Sequence, residues 1–166
     1  MKILKKVVLG TACGAILALG SAAAVGGSST DPSLVGTWEY VMTVRLDAPD
    51  CTSSEPIPFG PNPFPALASF HEGGTMSEYA SRTPPTIRTT GFGSWKQVGK
   101  NRYKARHTFM EFESNGLLWR TMVIESKIHL GEHGGQYKAE GRLELTDVSG
   151  NVLNFCATMD GVRFGT

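Results

Sequence analysis

The chain has 166 residues, which is enough for one domain with a sizeable core. Its 16 Lys and Arg residues nearly balance its 15 Asp and Glu residues, whereas a surface that binds nucleic acid is normally strongly basic. We therefore expect no nucleic-acid partner. Beyond the N-terminal segment, no apolar run is long enough to span a bilayer, so we expect no transmembrane segment once that segment is removed.

The N-terminal segment follows the order of features found in a secretory signal peptide. Lys2, Lys5 and Lys6 precede a short apolar run, and residues 21–24 are small residues of the kind that a signal peptidase accepts. A membrane anchor and a buried helix are the alternatives, but the run is short and ends in small residues. We predict a signal peptide over residues 1–24 and a protein that is secreted or periplasmic.

Removal of the signal peptide changes both the charge and the cysteine content. Three lysines and no acidic residue are lost, so the formal net charge falls by three, from +1 to −2. Cys13 is also lost, which leaves Cys51 and Cys156. An even pair of cysteines in an exported protein predicts a disulfide, with two free thiols as the alternative. A lipoprotein acylated at Cys13 is a further alternative, although Gly10 stands where a lipobox usually has Leu.

The first part of the remaining chain contains a leader, a strand and a long loop. Residues 25–33 are rich in Gly and Ser and predict a flexible leader before a single domain over residues 34–166. In the first predicted strand, 35–46, β-branched and aromatic residues alternate with others. One face of this strand would carry Gly36, Trp38, Tyr40, Met42, Val44 and Leu46. Residues 47–65 contain six prolines and are predicted to be one long loop without regular structure.

The rest of the chain is a series of strands. A second long loop, 82–90, contains Pro84 and Pro85, and no proline follows it. Apart from that loop, tight turns rich in Gly, Asn and Ser separate the predicted strands 66–71, 75–81, 91–98, 102–113, 117–130, 136–147 and 152–164. Eight strands in this arrangement predict an all-β fold, an eight-stranded antiparallel up-and-down β-barrel, because closure removes exposed strand edges. A two-sheet sandwich is the alternative, but it would need longer crossovers.

Closure of such a barrel pairs the last strand with the first and so predicts two long-range contacts. Trp38 would lie against Arg163 at one end of the barrel, which we call the lower end, and a guanidinium over an indole face is favourable. Cys51 would meet Cys156 toward the upper end. A disulfide that closes a loop of about a hundred residues would contribute on the order of 4 kcal/mol to stability.

The residues at the two ends of the domain resemble a known signature. Gly36, Thr37 and Trp38, together with Arg163, resemble the lipocalin signature of the calycin superfamily. In that family the Trp packs at the closed end of the barrel and a basic residue of the last strand covers it, which implies structural roles for Gly36, Trp38 and Arg163. We find neither the family's further motif between the sixth and seventh strands nor the C-terminal helix of typical animal lipocalins.

The chain is also similar to bacterial exported lipocalin-like domains of unknown role. The residues that carry this similarity are Phe70, Gly73, Gly74, Thr75 and Glu78 of one hairpin, the run Gly91 to Trp95, and Cys156. The resemblance implies an exported barrel, and it assigns no particular ligand.

Alternation along the strands predicts which side chains point into the barrel. In the lower half these are Trp38, Trp95, Tyr103, Ile128, Leu130, Tyr137 and Arg163. In the upper half they are Met42, Val44, Phe109, Met122, Ile124, Leu143 and Phe155. The polar inward residues are Glu78, His107, Glu111, Arg120 and Ser126. A buried charge needs a partner, which Glu78 or Glu111 would find in Arg120, but a register shifted by one residue would turn some of these groups to solvent.

These residues predict a binding module for a small hydrophobic ligand, with the polar groups holding its polar head. The candidate ligand-binding residues are Tyr40, Met42, Glu78, His107, Phe109, Glu111, Met122 and Phe155. Two alternatives stay open. One is a cyclase or isomerase of the allene oxide cyclase or dirigent type, which would use two carboxylates and His107 for acid–base chemistry. The other is a barrel filled by side chains that binds a protein through its proline-rich loops.

The sequence assigns no catalytic residue, no cofactor and no metal site. It contains no nucleophile elbow, phosphate loop or zinc-protease motif. His129 and His133 flank Glu132, which suggests a metal site, but this pattern is also that of a polar surface turn. The functional interpretation therefore favours binding over catalysis.

Overall fold

The computed structural model describes residues 32–165 and shows a closed barrel of eight antiparallel strands in up-and-down order. The strands are β1 (Gly36–Leu46), β2 (Phe64–Phe70), β3 (Thr75–Ala80), β4 (Gly91–Gly99), β5 (Arg102–Phe112), β6 (Leu118–Leu130), β7 (Gln136–Asp147) and β8 (Val152–Arg163). The predicted fold class is confirmed. The predicted signal peptide and the leader as far as residue 31 lie outside the described residues. Within the described part of the chain, no helix is long and apolar enough to cross a membrane.

Side chains alternate between the interior and the solvent along the strands, as the pleat of a β-strand requires. The buried residues of β5 are Tyr103, Ala105, His107, Phe109 and Glu111, and the residues between them are exposed. A shift of one residue would exchange the two faces, so this pattern sets the register of the barrel. The predicted inward orientation is correct for most of β1, but Leu46 is 49% exposed because it ends the strand at the upper rim.

Strand β8 pairs with β1 and closes the barrel. The paired residues run from Trp38 opposite Arg163 to Leu46 opposite Phe155. The predicted contact at the lower end is confirmed, since the guanidinium carbon of Arg163 lies 4.4 Å from the centre of the Trp38 ring. Close packing here also needs Gly161, because a Cβ atom at that position would lie 2.4 Å from the ring of Tyr137.

Hydrogen bonds hold the Trp38–Arg163 pair to the segment that precedes β1. The Arg163 guanidinium donates to the backbone oxygens of Ser33 at 2.6 Å and Val35 at 2.8 Å, and the Trp38 indole N–H donates to the oxygen of Leu34 at 2.9 Å. These bonds anchor residues 33–35 across the lower end of the barrel. This part of the chain, the last position of the predicted leader included, is therefore part of the packed domain.

The predicted disulfide is also confirmed. Cys51 and Cys156 are bonded, with their Cα atoms 5.7 Å apart, and the bond joins the loop after β1 to β8. A disulfide is compatible with an extracellular or periplasmic protein, because such compartments are oxidising.

The loop predicted over residues 47–65 is more ordered than expected, and that prediction was wrong in part. A 3-10 turn spans Cys51–Ser53, and Phe64 and Pro65 belong to β2. Proline is tolerated there because it supplies its carbonyl, which accepts from the Ser81 N–H at 3.0 Å. The Asn62 side chain replaces further ladder bonds, since it both accepts from the backbone N–H of β1 residue Val44 and donates to that residue's oxygen.

Replacing both cysteines (Cys51→Ala with Cys156→Ala) should lower the free energy of unfolding by roughly 2–5 kcal/mol. The bond spans 105 residues of sequence, so its loss frees a long loop in the unfolded chain. Urea unfolding would measure the change. Dithiothreitol should destabilise the parent protein to the same extent and leave the double variant unchanged, and equal midpoints for all three samples would contradict the prediction.

Replacing Arg163→Met should lower the free energy of unfolding by about 2–4 kcal/mol, because Met still covers Trp38 but leaves backbone oxygens at the lower end without their charged donor. Arg142→Met is the matched control, since the Arg142 side chain is 50% exposed and its pair with Asp47 should contribute less than about 1 kcal/mol. Equal losses of stability in the two variants, measured by urea unfolding, would show that the lower-end pair has no special role.

Candidate functional site

The upper half of the barrel contains a cavity of about 150 Å³. An apolar cavity of about this volume can hold one molecule of the size of benzene, whereas pockets for drug-sized ligands start at about 300 Å³. The apolar wall consists of Met42, Val44, Ile57, Phe59, Phe64, Ala80, Phe109, Met122, Ile124, Leu143, Leu145, Leu153 and Phe155. Phe59 and Leu153 are more than half exposed, so they mark the side on which the cavity meets solvent.

The lower half of the barrel is filled by large side chains. Trp38 and Tyr137 pack edge to face with ring centres 5.0 Å apart, and Trp95 packs against Phe70 and Tyr103 at 6.0 and 5.7 Å. The expectation of aromatic side chains in this half is confirmed, although Trp95 is only half buried. The cavity of the upper half contains none of these rings in its wall.

Both proline-rich loops form part of the cavity wall. The first loop supplies Ile57 and Phe59, and the second supplies Arg82, Thr83 and Arg88. The Arg82 guanidinium donates to the backbone oxygens of Phe59 at 3.0 Å and Pro61 at 2.8 Å, which joins the two loops over the barrel. None of these loop residues was among the predicted site residues, because loops carry no alternation from which an orientation can be predicted.

A buried ion pair forms the polar floor of the cavity. The Arg88 guanidinium donates to Glu78 Oε2 at 2.5 Å and to the backbone oxygen of Ala80 at 3.0 Å, and it stacks on the Phe109 ring at 3.8 Å. The Tyr40 hydroxyl donates to Glu78 Oε1 at 3.0 Å. Burial, followed by the neighbouring Glu78 charge, raises the pKa of Tyr40 well above its usual value, so the phenol stays a donor.

Glu78 does not pair with Arg120, which was one of the two arrangements predicted. Arg120 pairs with Glu111, as one of the two expected arrangements had it, and the Thr83 hydroxyl donates to the same carboxylate at 2.6 Å. Glu78 pairs with Arg88, which the sequence analysis missed. The signal that could have found it is the β3–β4 register: Glu78 pairs with Gly91, so residues just before Gly91 must pass near its carboxylate.

His107 lies beside this ion pair, and its side chain is almost fully buried. Its Nε2 atom lies 3.8 Å from Glu78 Oε2, and among the described residues neither ring nitrogen has a hydrogen-bond partner. Burial lowers the pKa of His107 below its usual value of 6.5; the Glu78 charge partly offsets this effect and Arg88 adds to it. The imidazole is therefore neutral at neutral pH.

Six of the eight candidate ligand-binding residues line the cavity: Met42, Glu78, Phe109, Glu111, Met122 and Phe155. The other two, Tyr40 and His107, do not line the cavity; each lies beside the carboxylate of Glu78, which does. Ser126 is buried as expected. Over the described range, no group of three or more His, Cys, Asp or Glu residues is placed to hold a metal ion.

Comparisons with known proteins assign no family. No protein-family model matches the chain, and no curated protein matches it significantly. The barrel architecture by itself does not name a superfamily, because one fold can host many functions. The functional argument therefore depends on the geometry of the cavity.

The buried His107 should make stability depend on pH. As pH falls through about 6.5, the unfolded chain protonates this histidine, while the folded protein does so only at lower pH. Unfolding then takes up protons, so stability should fall below that pH, by at most about 1.4 kcal/mol per unit from this one group. The substitution His107→Gln should reduce the stability difference between about pH 7.5 and about pH 5.5, measured by urea unfolding.

The exposed His129 supplies the control for this experiment. His129→Gln should leave the stability difference between the two pH values as it is in the parent protein. If His107→Gln also left it unchanged, the acid sensitivity would belong to other groups.

Proposed function

We propose that the protein is an exported, lipocalin-like barrel that binds a small, mainly apolar molecule in its upper cavity. The observation that carries this proposal is the cavity itself: apolar side chains form most of its wall, and two arginine–carboxylate pairs form one side. A few fixed polar groups within a mainly apolar wall are typical of small-molecule sites. A barrel with a purely structural role would have no need of this space.

The wall is asymmetric, which constrains the ligand. The side made by β1, β7 and β8 contributes apolar residues such as Met42, Leu143 and Phe155. The polar groups come from β3, β5, β6 and the second loop, where Glu78 and Glu111 lie. A molecule with one apolar side and one polar group matches this distribution, and the cavity volume limits it to about one ring or a short chain.

Export is supported by two independent features. The N-terminal segment has the pattern of a signal peptide, and the disulfide suits an oxidising compartment. The lipocalin-like assignment is supported by the packing of Arg163 on Trp38 at the lower end, which is the arrangement that the resemblance implied.

The geometry favours binding over the cyclase or isomerase alternative. Acid–base catalysis needs groups that are free to exchange a proton with the substrate, and that alternative relies on two such carboxylates beside His107. Glu78 is held by Arg88 and Tyr40, and Glu111 is held by Arg120 and Thr83. The oxygens of both carboxylates are already engaged by donor side chains, and both carboxylates are well placed to orient a bound molecule.

Filling the cavity should weaken binding strongly without harming the fold. Ala80 lines the cavity from β3, so Ala80→Leu should weaken the binding of an apolar probe, toluene, by about tenfold or more. The free energy of unfolding should stay the same or rise, because the new side chain fills empty space. Toluene binding would be followed by chemical-shift titration of the isotopically labelled protein.

Ser77→Leu is the matched control, since Ser77 lies on the same strand directly before the cavity-lining Glu78, and the alternation of the strand turns its side chain outward. This variant should bind toluene like the parent protein. The absence of saturable binding by the parent protein, or equal binding by Ala80→Leu, would refute a ligand site in the upper cavity.

A further inference from the structure

The outer surface of β4, β5 and β6 carries a row of three lysines. The strand pairing places Lys96 directly opposite Lys104, and Lys104 directly opposite Lys127. All three residues are exposed, and among residues 32–165 none of them has a carboxylate oxygen within 4.0 Å. Like charges directly opposite each other on neighbouring strands repel, so this row lowers the stability of the sheet.

Two further basic residues extend the row to a patch. Lys100, in the turn before β5, and Arg102, at the start of β5, are both exposed. The row and these two residues form what we call the basic face: Lys96, Lys100, Arg102, Lys104 and Lys127. Beside it, Glu125 is already paired with Arg106 at 3.3 Å, and Glu140 of β7 limits the face on one side. The basic face therefore presents a positive charge that these neighbouring acidic residues do not cancel.

Neither edge protection nor solubility accounts for the lysine row. Lysines often keep edge strands from pairing with other chains, but the strands of residues 32–165 form a closed barrel in which each strand has two neighbours. Lysines also aid solubility when they move the net charge away from zero. Here they do the reverse, because the formal net charge without the predicted signal peptide is −2, and the loss of these three lysines would lower it further to −5. An anionic partner explains the row better.

Exposed apolar side chains share this outer surface with the lysines. Phe92, four residues before Lys96 on β4, is 65% exposed. Met110, on the same side of β5 as Lys104, is 45% exposed. A soluble polyanion would leave these apolar side chains in water. The surface of a bilayer accommodates both kinds of residue, because lysines bind the phosphate groups and apolar side chains enter the boundary between headgroups and acyl chains.

We infer that the outer surface of β4–β6 binds a membrane that contains anionic phospholipids. The phosphate groups offset the repulsion along the lysine row, and Phe92 and Met110 enter the interfacial layer beside them. Phe59 and Leu153, which mark the solvent side of the cavity, belong to the first loop and to β8, on another side of the barrel. Membrane binding by this surface therefore leaves that side of the cavity free.

Cosedimentation of the full-length protein with lipid vesicles tests this surface. The protein should bind vesicles of phosphatidylcholine and phosphatidylglycerol in equal parts about tenfold more tightly than vesicles of phosphatidylcholine alone. Added salt should weaken binding to the mixed vesicles, because it screens the attraction between exposed charges. Equal binding to the two kinds of vesicle, or no binding to either, would overturn the inference.

Two double variants with the same change in net charge locate the binding surface. Lys104→Gln with Lys127→Gln should weaken binding to the mixed vesicles by about tenfold or more, and it should keep or raise stability because it removes repulsion. Lys138→Gln with Arg142→Gln, on the neighbouring strand β7, removes two cations that are each already paired with an aspartate. This control should bind within about threefold of the parent protein. Equal losses in the two double variants would show that net charge alone matters and would refute the basic face.

Phe92→Ser distinguishes a membrane from a soluble polyanion. This variant should weaken binding to the mixed vesicles by about fivefold, because the Phe side chain leaves water when the membrane binds. Leu67→Ser, which replaces an exposed apolar residue of β2, should bind like the parent protein. Dextran sulfate should bind more weakly than the vesicles and should not respond to Phe92→Ser. If Phe92→Ser bound the vesicles like the parent protein and dextran sulfate bound as tightly as they do, the partner would be a soluble acidic polymer and the membrane assignment would be wrong.

Discussion

Strand β8 hydrogen-bonds to β1 along the whole stretch from Trp38 to Leu46, and this seam determines where the other inward side chains lie. A shift of one residue across this closing seam would turn the apolar face of the strand toward solvent. Arg163 secures that register at the lower end, where it covers Trp38 and binds backbone oxygens of the preceding segment. The Cys51–Cys156 bond secures it farther up. The pairing of β1 with β8 is thus stabilised at both of its ends, by the Trp38–Arg163 contact below and by the disulfide above.

The two halves of the barrel interior are occupied by different kinds of residue. At the lower end, large aromatic rings fill the space, and Gly161 gives the Tyr137 ring the room it needs. At the upper end, the wall is completed by loop residues such as Ile57, whose position depends on hydrogen bonds to β1. The cavity lies on this side, where loop residues and strand side chains together form its wall.

The sequence was sufficient to predict the strands and the seam, because these depend on alternation and on hairpin residues. The contacts of Trp38 with Arg163 and of Cys51 with Cys156 followed from topology alone. Arg88 could not be predicted in the same way, since it lies in a loop whose path depends on the register of β3 against β4. The ordered loop after β1 was missed for a related reason: the Asn62 side chain replaces ladder bonds that a proline-rich backbone cannot make.

The polar floor is hard to explain by stability alone. Taking Glu78 and Arg88 out of water costs free energy that their attraction roughly repays, and apolar residues of similar volume would pack there at least as well. The ring nitrogens of the adjacent His107, which have no partner among residues 32–165, add to this cost. The cost is concentrated at one place, beside the cavity that Glu78 and Arg88 help to line. Preorganised polar groups in such a place lose little conformational freedom when a matching ligand arrives. The arrangement that lowers the stability of the barrel would therefore favour the proposed binding of a molecule whose polar group matches these two side chains.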